Sequence, residues 1–105
     1  MGLIQQGQIW WGELPNDKPR PYLVITRQRA IDRLTAVMVA PVTTRIRGLV
    51  SEVELTAADG MRRECVANLD NVKTIDKANL TRRIGVLAPG RWHEVCAALR
   101  AAIDC

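Results

Sequence analysis

The fold of this chain is decided by residues 18–26, which read Lys-Pro-Arg-Pro-Tyr-Leu-Val-Ile-Thr. The second half carries an aromatic and several aliphatic side chains, two of them β-branched, so it predicts a buried β-strand. In the first half, each proline fixes its own φ near −65° and keeps the preceding residue out of the helical region. Arg20 is therefore held extended at the mouth of a buried strand, either as a well-aimed guanidinium or as a solvated arginine in a Pro-rich turn.

Short apolar runs on both sides of this stretch predict further strands, separated by turns rich in Gly, Pro, Asn and Asp. The strands lie at residues 7–14, about 21–28, about 34–42, 50–55, 64–69 and 82–87, and segment 72–75 leaves the fifth after an interruption at Asp70-Asn71. The run at 34–42 is apolar on both faces, which a small closed barrel provides. Pro41 has no N–H for the ladder, so the third strand should end, bulge or reach an edge there.

A helix is predicted from Pro89 to about Asp104, since proline is favoured in the first turn. Its apolar positions fall at helical spacing and should pack on the core: Trp92, Val95, Cys96, Leu99 and Ile103. A turn or a short helical step is expected at 29–33, and Asp76 can cap a short helical turn that runs to Leu80. Many short strands followed by one terminal helix predict a mainly β (α+β) domain, an SH3-like barrel with a C-terminal α-helix that spans residues 1–105.

The chain of 105 residues has the size of one domain with a modest core. It contains no run approaching about 18 apolar residues, and its first residues lack the basic and apolar parts of a signal peptide. We therefore expect a soluble cytoplasmic protein with no membrane partner. Cys65, Cys96 and Cys105 are odd in number and widely spaced, which argues against a disulfide framework and against a zinc site.

Positive charge is concentrated in residues 17–47. The chain carries a formal net charge of +4, whereas this segment alone holds seven basic and two acidic residues, a balance of +5. Six of the seven are arginines, which favour bidentate contacts with phosphate or carboxylate groups. An anionic partner is therefore indicated, and a merely solvated positive surface is the alternative.

Two adjacent tryptophans lie in the first strand. Alternation places Ile9 and Trp11 on one face and Gln8 and Trp10 on the other. One indole should lie in the core, while the other is an interface residue or a stacking platform for a base, and we favour the interface. The only histidine, His93, lies on the more exposed side of the helix, and we do not expect it to be catalytic.

Five short stretches stand out in order along the chain. They are Gly-Gln-Ile-Trp-Trp at 7–11, Pro-Arg-Pro at 19–21, Ala-Pro-Val-Thr-Thr at 40–44, Ala-Asn-Leu-Asp-Asn-Val-Lys at 67–73 and Ile-Gly-Val-Leu at 84–87. Together they resemble the MazF/PemK/Kid family, the mRNA-cleaving toxins (mRNA interferases) of bacterial type II toxin–antitoxin modules. The resemblance covers nearly the whole chain and implies a homodimer of PemK/CcdB-like barrels. It also implies a sequence-specific, metal-independent endoribonuclease without a cofactor, which cuts single-stranded RNA (mRNA, rRNA or tRNA) and is inhibited by a cognate antitoxin protein.

The resemblance also implies which residues form the site. The family's Arg of the Arg-Pro pair and Thr of the Pro-Ile/Val-Thr motif fall on Arg20 and Thr43, which are therefore the candidate catalytic residues. Candidate RNA-binding residues come from the basic segment and the other motifs: Lys18, Arg27, Thr44, Arg45, Arg47, Asp70, Asn71 and Lys73. Two features depart from the family pattern, because the loop before the arginine is only Pro15–Pro19 and Asn71 replaces the commoner Gln.

The chemistry of RNA cleavage fits these side chains. The 2′-OH can attack the adjacent phosphorus, giving a 2′,3′-cyclic phosphate and a free 5′-OH, and the enzyme then mainly has to stabilise the negative phosphorane. Arg20 would hold the phosphate oxygens through two N–H groups, and Thr43 would donate one hydrogen bond. The general base is either Asp70 or a water molecule. Glu52 and Glu54, the only acidic pair at strand spacing, are interpreted as surface charge rather than metal ligands.

Two other functions share the same features. A non-enzymatic RNA-binding barrel would use the same basic face without turnover. A gyrase-poisoning toxin of the same fold is disfavoured, because those toxins resemble one another in a C-terminal Trp-Gly-Ile, whereas this chain ends in Ile103-Asp104-Cys105.

Overall fold

The computed structural model describes residues 3–104, so that Met1, Gly2 and Cys105 lie outside the described residues. Seven strands are formed within this range: β1 Gln8–Gly12, β2 Arg20–Val24, β3 Ala36–Thr43, β4 Glu52–Leu55, β5 Cys65–Asn68, β6 Lys73–Asp76 and β7 Leu80–Val86. The helices are α1 Gln28–Ile31 and α2 Trp92–Ile103, and single 3-10 turns occupy Ala57–Asp59, Leu69–Asn71, Lys77–Asn79 and Pro89–Arg91. The predicted mainly β fold with a C-terminal helix is confirmed. None of the helices in the described part of the chain has the length and apolarity to cross a membrane.

All strand pairs are antiparallel, and the sheet order is β4-β5-β3-β2-β1-β7 with β6 also paired to β3. The long strand β3 changes partner along its length, from β6 at residues 36–39 to β5 at residues 42–43. Pro41 lies where the partner changes, and a residue without an N–H fits at that interruption. The strand continues to Thr43, one residue beyond its predicted end at about Val42, so of the three alternatives given for Pro41 only an end of the strand is excluded.

The sheet curls into an SH3-like barrel because β6 and β7 are consecutive in sequence but pair with different strands, β3 and β1. The 3-10 turn Lys77–Asn79, between β6 and β7, forms backbone hydrogen bonds with residues that flank β3 and β1. The Lys77 N–H donates to the Thr35 carbonyl at 2.9 Å, and the Glu13 N–H donates to the Asn79 carbonyl at 2.9 Å. The turn therefore links the start of β3 to the end of β1, across the place where β6 and β7 separate.

Both faces of the central strands are buried, as the apolar run in β3 predicted. One cluster packs β-strand side chains such as Ile9 and Leu23 against Val95 of α2, and the other gathers Trp10, Tyr22 and further aliphatic residues on the opposite face. The prediction of one core tryptophan is confirmed by Trp10, which is buried and donates its Nε1–H to Gln8 Oε1 at 2.9 Å. The other, Trp11, is half-buried.

Helix α2 faces the core with a slightly different stripe from the one predicted. Val95 and Ala98 are buried, whereas Cys96 is exposed and Ile103 is 60% exposed, so the prediction that these last two pack in the core is wrong. Cys96 lies one position around the helix from Val95, which turns it away from the sheet. Ile103 is the last residue of the helix, next to a left-handed cap at Asp104.

Three smaller expectations are also revised or refined by the structure. Strand β2 ends at Val24 rather than near residue 28, because Gln28 already starts α1. The turn after Asp76 forms as predicted, but no side-chain hydrogen bond from Asp76 caps it. Cys65 and Cys96 are both free thiols, the first buried and the second exposed.

Candidate active site

Arg20 begins β2 and Thr43 ends β3, and these two strands pair antiparallel. The paired residues end at Tyr22 and Pro41, and Arg20 and Thr43 each lie two residues beyond this pair. The register extended by two residues would therefore bring both side chains onto one face of the sheet. On its other side Arg20 pairs with Gly12, where a Cβ would approach the Tyr22 ring to 2.5 Å. Only glycine leaves room there for the aromatic ring beneath the arginine.

The Arg20 guanidinium is held in place but remains accessible. Its Nη2 lies 3.2 Å from Asp17 Oδ1, its Nε–H donates to the Lys18 carbonyl at 3.3 Å, and its side chain is 37% exposed. The second carboxylate oxygen of Asp17 lies 3.9 Å from Lys73 Nζ. One carboxylate thus orients two cations, and the group keeps a net positive charge. Asp17 was not predicted as a site residue, because its role depends on how the turn 15–19 folds back.

Tyr22 lies beneath this charged group. Its ring is fully buried, and Lys73 Nζ is 5.8 Å from the ring centroid, within the range of a cation–π contact. Burial raises the pKa of the Tyr22 hydroxyl above its ordinary value, although the nearby Arg20 charge opposes this shift. Among residues 3–104 the hydroxyl has no hydrogen-bond partner.

The Thr43 hydroxyl is oriented by the loop that follows β3. Its Oγ1 accepts the Arg45 N–H at 3.0 Å, so its own hydrogen is available to another acceptor. The loop itself is held by Glu52, whose carboxylate accepts the N–H groups of Gly48 at 2.9 Å and Leu49 at 3.2 Å. Glu52 was expected to be plain surface charge, but it shapes the loop that carries the predicted residues Thr44, Arg45 and Arg47, all of them exposed.

Asp70 is engaged by a neighbouring hydroxyl. Ser51 Oγ donates to Asp70 Oδ2 at 2.5 Å, and the Asp70 N–H donates to Asn68 Oδ1 at 2.9 Å. Asp70 and the exposed Asn71 form the 3-10 turn between β5, which pairs with Thr43, and β6, which begins at Lys73. The topology therefore brings the motif at 67–73 close to the end of β3, which carries the motif at 40–44.

Two residues are not brought to this region. Arg27 follows the far end of β2, so the length of this strand separates it from Arg20. His93 is exposed on α2. Lys18, in contrast, is exposed directly beside Arg20 and contributes its carbonyl to the arginine.

A cavity of about 610 Å³ opens beside Thr43 and Thr44, between β1, β7 and the segment 60–63. Buried side chains such as Val42 and Met61 line it together with the half-buried Trp11. Four arginines also line it: Arg62, Arg63, Arg82 and Arg83. We call this feature the arginine cavity. The sequence analysis did not select these arginines, although the two Arg-Arg pairs are visible in the sequence.

The fold and the site define a small β-barrel protein with a basic site suited to a phosphate-bearing ligand. Residues 5–103 match the PemK-like, MazF-like toxins of type II toxin–antitoxin systems, and the chain belongs to this family. The resemblance inferred from the sequence motifs is therefore confirmed.

Relatives in sequence and structure agree with this assignment. The chain is 43% identical over 103 residues to a probable endoribonuclease, MazF2, of Mycobacterium tuberculosis (strain CDC 1551 / Oshkosh), covering 97% of this chain and 100% of the relative. It is 38% identical to the solved Mycobacterium tuberculosis toxin MazF-mt6, with a TM-score of 0.86 over 92% of this chain and 96% of that chain. An endoribonuclease in complex with its cognate antitoxin from Mycobacterial species shares the fold, with a TM-score of 0.86 over 96% of this chain and 95% of that chain at 23% identity.

Proposed function

We propose that this endoribonuclease toxin cuts single-stranded RNA where Arg20 and Thr43 lie side by side, through attack of the 2′-OH on the adjacent phosphorus. The observation that supports the proposal is the antiparallel pairing of β2 with β3, which, extended two residues beyond the Tyr22–Pro41 pair, would bring the Arg20 guanidinium and the Thr43 hydroxyl to one face. Membership of the MazF-like family supports the choice of an RNA substrate. The cytoplasm, where messenger RNA is translated, is the compartment that this function implies.

Arg20 supplies the main stabilisation in the proposed mechanism. As the O2′–P bond forms and the P–O5′ bond breaks, negative charge grows on the non-bridging phosphate oxygens. The guanidinium donates to these oxygens, and Asp17 and the Lys18 carbonyl hold it in place beforehand, so little reorganisation is needed. Thr43 donates its hydroxyl hydrogen to the same charge, because its oxygen already accepts the Arg45 N–H. The proton of the 2′-OH passes to Asp70 or to water, and a water molecule gives a proton to the 5′-oxygen as the P–O5′ bond breaks.

The proposed reaction needs no divalent metal. A two-metal nuclease would hold its ions with several converging carboxylates. The part of the chain that the structure describes brings together no group of three or more His, Cys, Asp or Glu side chains of that kind. The proposal therefore relies on the cationic and hydroxyl groups that the barrel mouth presents, and on a nucleophile that the substrate carries itself.

The test is cleavage of a long RNA by the purified protein in EDTA, followed by analysis of the ends. We expect 2′,3′-cyclic phosphate and 5′-OH ends, and we expect a substrate with one 2′-deoxy residue 5′ to the cut to resist cleavage at that bond. If EDTA abolishes activity, or if the deoxy substrate is still cut there, the mechanism is wrong. Binding without any cleavage would favour the non-enzymatic barrel instead.

We further propose that the toxin is a homodimer neutralised by its antitoxin. The complex of an endoribonuclease with its cognate antitoxin, which shares this fold, supports the second part. For the first part, the loop 44–51 exposes three apolar side chains, Ile46, Leu49 and Val50, and such an apolar patch is typical of an interaction surface. Light scattering at micromolar concentration should give the mass of a dimer, and a monomer mass would contradict the proposal.

A further inference from the structure

The arginine cavity carries charge that nothing nearby neutralises. Within residues 3–104, none of Arg62, Arg63, Arg82 and Arg83 forms an ion pair, and all four are exposed. Arg20, by comparison, is paired with Asp17. Guanidinium groups gathered around one opening repel one another unless an anion joins them, and their N–H forks match phosphate oxygens. The cavity is therefore suited to a ligand with at least one phosphate or carboxylate.

The cavity also has an aromatic wall. Trp11 pairs with Arg82 in the β1–β7 ladder, so their side chains are neighbours on the cavity face. Trp10 is committed to the core through its packing and its bond to Gln8, whereas Trp11 is half-buried and borders open space. An indole beside arginines is the arrangement in which proteins stack a nucleobase and bind its phosphate. An acidic peptide would use the arginines but would have no base to stack on the indole.

The cavity is continuous with the candidate active site. Thr43 and Pro21 line the cavity, and Pro21 is bonded to Arg20, which is not itself a lining residue. Its volume of about 610 Å³ lies within the range of roughly 300–1,000 Å³ typical of small-molecule sites, which accommodates a nucleotide. An RNA strand whose phosphate lies at Arg20 and Thr43 would therefore place a neighbouring nucleotide at the cavity opening.

We propose that the arginine cavity binds the nucleotide adjacent to the cleaved phosphate, with its base against Trp11 and its phosphate at Arg82 and the neighbouring arginines. This inference rests on the proposed function and adds a binding subsite to it. The cavity then contributes to the choice of RNA sequence, since the base must enter a space of fixed shape beside the indole. Arg82 is the arginine best placed to contact the same nucleotide as Trp11.

The test is the affinity for a fluorescein-labelled, random-sequence 2′-O-methyl RNA of about twelve nucleotides, a length within the usual single-strand site size. This RNA lacks the attacking hydroxyl, so binding is measured by anisotropy without cleavage.

We expect Trp11→Leu to weaken binding roughly 5- to 100-fold, as for loss of one stacked base. We expect Arg82→Ala to weaken binding and to reduce the slope of log affinity against log salt by about 0.7, as for loss of one phosphate contact. Arg33→Ala, an exposed arginine beyond the other end of β2, is the matched control and should change neither.

Unchanged RNA binding by a folded Arg82→Ala variant would overturn the proposal, and this exposed position keeps the test decisive if Trp11→Leu fails to fold. The affinity of each variant for poly-L-glutamate is measured as well. A variant that binds this polymer more weakly but binds RNA as the parent does would show that the cavity binds an acidic peptide. That result would also overturn the proposal. Cleavage of RNA by the unmodified protein in EDTA is measured in parallel. If the parent cleaves RNA and the variants bind RNA as the parent does, only the subsite is contradicted. If the variants bind RNA more weakly but the parent does not cleave it, only the proposed reaction is contradicted.

Discussion

Arg20 is the residue on which the proposed activity depends most. Arg20→Ala should lower turnover by roughly 10²–10³, the range for losing one charge-stabilising donor. Arg20→Lys should fall between Ala and the parent, because lysine keeps the charge but not the planar fork. Thr43→Ala should be milder than Arg20→Ala. Single-turnover cleavage of one RNA gives these values, and His93→Ala is the control that should stay near the parent rate.

An inactive His93→Ala variant with an intact fold would mean that the active site lies elsewhere. Circular dichroism and thermal unfolding of each variant separate a loss of chemistry from a loss of structure. Arg20 is half-buried at a barrel mouth rather than in the core, so its variants should fold.

The Tyr22 hydroxyl gives a second prediction at this scale. Because the hydroxyl is buried without a partner among residues 3–104, Tyr22→Phe should leave the free energy of unfolding unchanged or raise it by about 1 kcal/mol. Urea unfolding measures this difference. A decrease of more than about 1 kcal/mol in the free energy of unfolding would show that the Tyr22 hydroxyl has a hydrogen-bond partner, such as a buried water.

Among single residues, the sequence placed Arg20 near the start of a strand and Thr43 near the end of the next, whereas it gave no sign of the contacts of Asp17 and Glu52. The first two are marked by prolines and by the motifs that resemble the family, and their catalytic role stays a prediction. The roles of Asp17 and Glu52 depend on how two loops fold back onto the strands, and no periodic pattern encodes that. The stripe on α2 was misplaced at Cys96 because adjacent helix positions differ by only about 100°.

At the scale of elements, an ion-pair network joins helix α2 to the turn 57–59. The Asp59 side chain is fully buried and accepts the N–H groups of Thr56 at 3.0 Å and Ala88 at 3.2 Å, and Arg91 Nη1 lies 2.9 Å from it. Arg91 also donates to both carboxylate oxygens of Glu94, at 2.8 and 2.9 Å. The network fixes the start of the helix against the end of β4.

Arg91→Ala should lower the free energy of unfolding by about 2–3 kcal/mol. Removing one partner of a fully buried pair costs about 3–5 kcal/mol, and Arg91 is 25% exposed, which reduces the effect. Chemical denaturation measures it, with Arg100→Ala, an exposed arginine later in the same helix, as the control that should change little. A change below about 0.5 kcal/mol would contradict a structural role for the network.

The same variant should alter the pH dependence of stability. The hydrogen bond from Arg91 lowers the pKa of Glu94 in the folded protein, so its contribution is present above the ordinary value of 4.5 and is lost as the pH falls through the folded pKa. Unfolding measured across the acid range should therefore show a shallower loss of stability in Arg91→Ala than in the parent. If the free energy of unfolding falls equally steeply with pH in the variant and the parent, other carboxylates determine the acid dependence and this prediction is contradicted.

At the scale of the whole molecule, the positive net charge of +4 predicts how an inhibitor binds. A surface that accepts RNA should also accept an acidic, disordered antitoxin segment that folds on binding. Calorimetric titration with the co-purified cognate antitoxin should show an affinity that weakens as sodium chloride is raised, because salt screens exposed charges. An affinity independent of salt would indicate a purely apolar antitoxin site.

The strand segments and the barrel class could be anticipated from the sequence, but the arginine cavity could not. The alternation in β1 to β3 and the terminal helix are local patterns, and they define the fold class. Arg62 and Arg82 are twenty residues apart and become neighbours of Trp11 only through the β1–β7 ladder and the turn that packs on β7. Such a site depends on long-range pairing, which periodicity does not report.

The pairing of β1 with β7 has a consequence for biosynthesis. It joins residues 8–12 to residues 80–86, so the barrel closes only after nearly the whole chain has been made. Contacts between distant parts of a chain form slowly, and synthesis proceeds from the N-terminus at roughly 5–20 residues per second. A nascent chain that ends before residue 80 lacks Arg82 and Arg83 of the arginine cavity, and it lacks the strand β7 that pairs with β1. We therefore expect the barrel, and with it the cavity beside Thr43, to form only when synthesis of the chain is nearly complete.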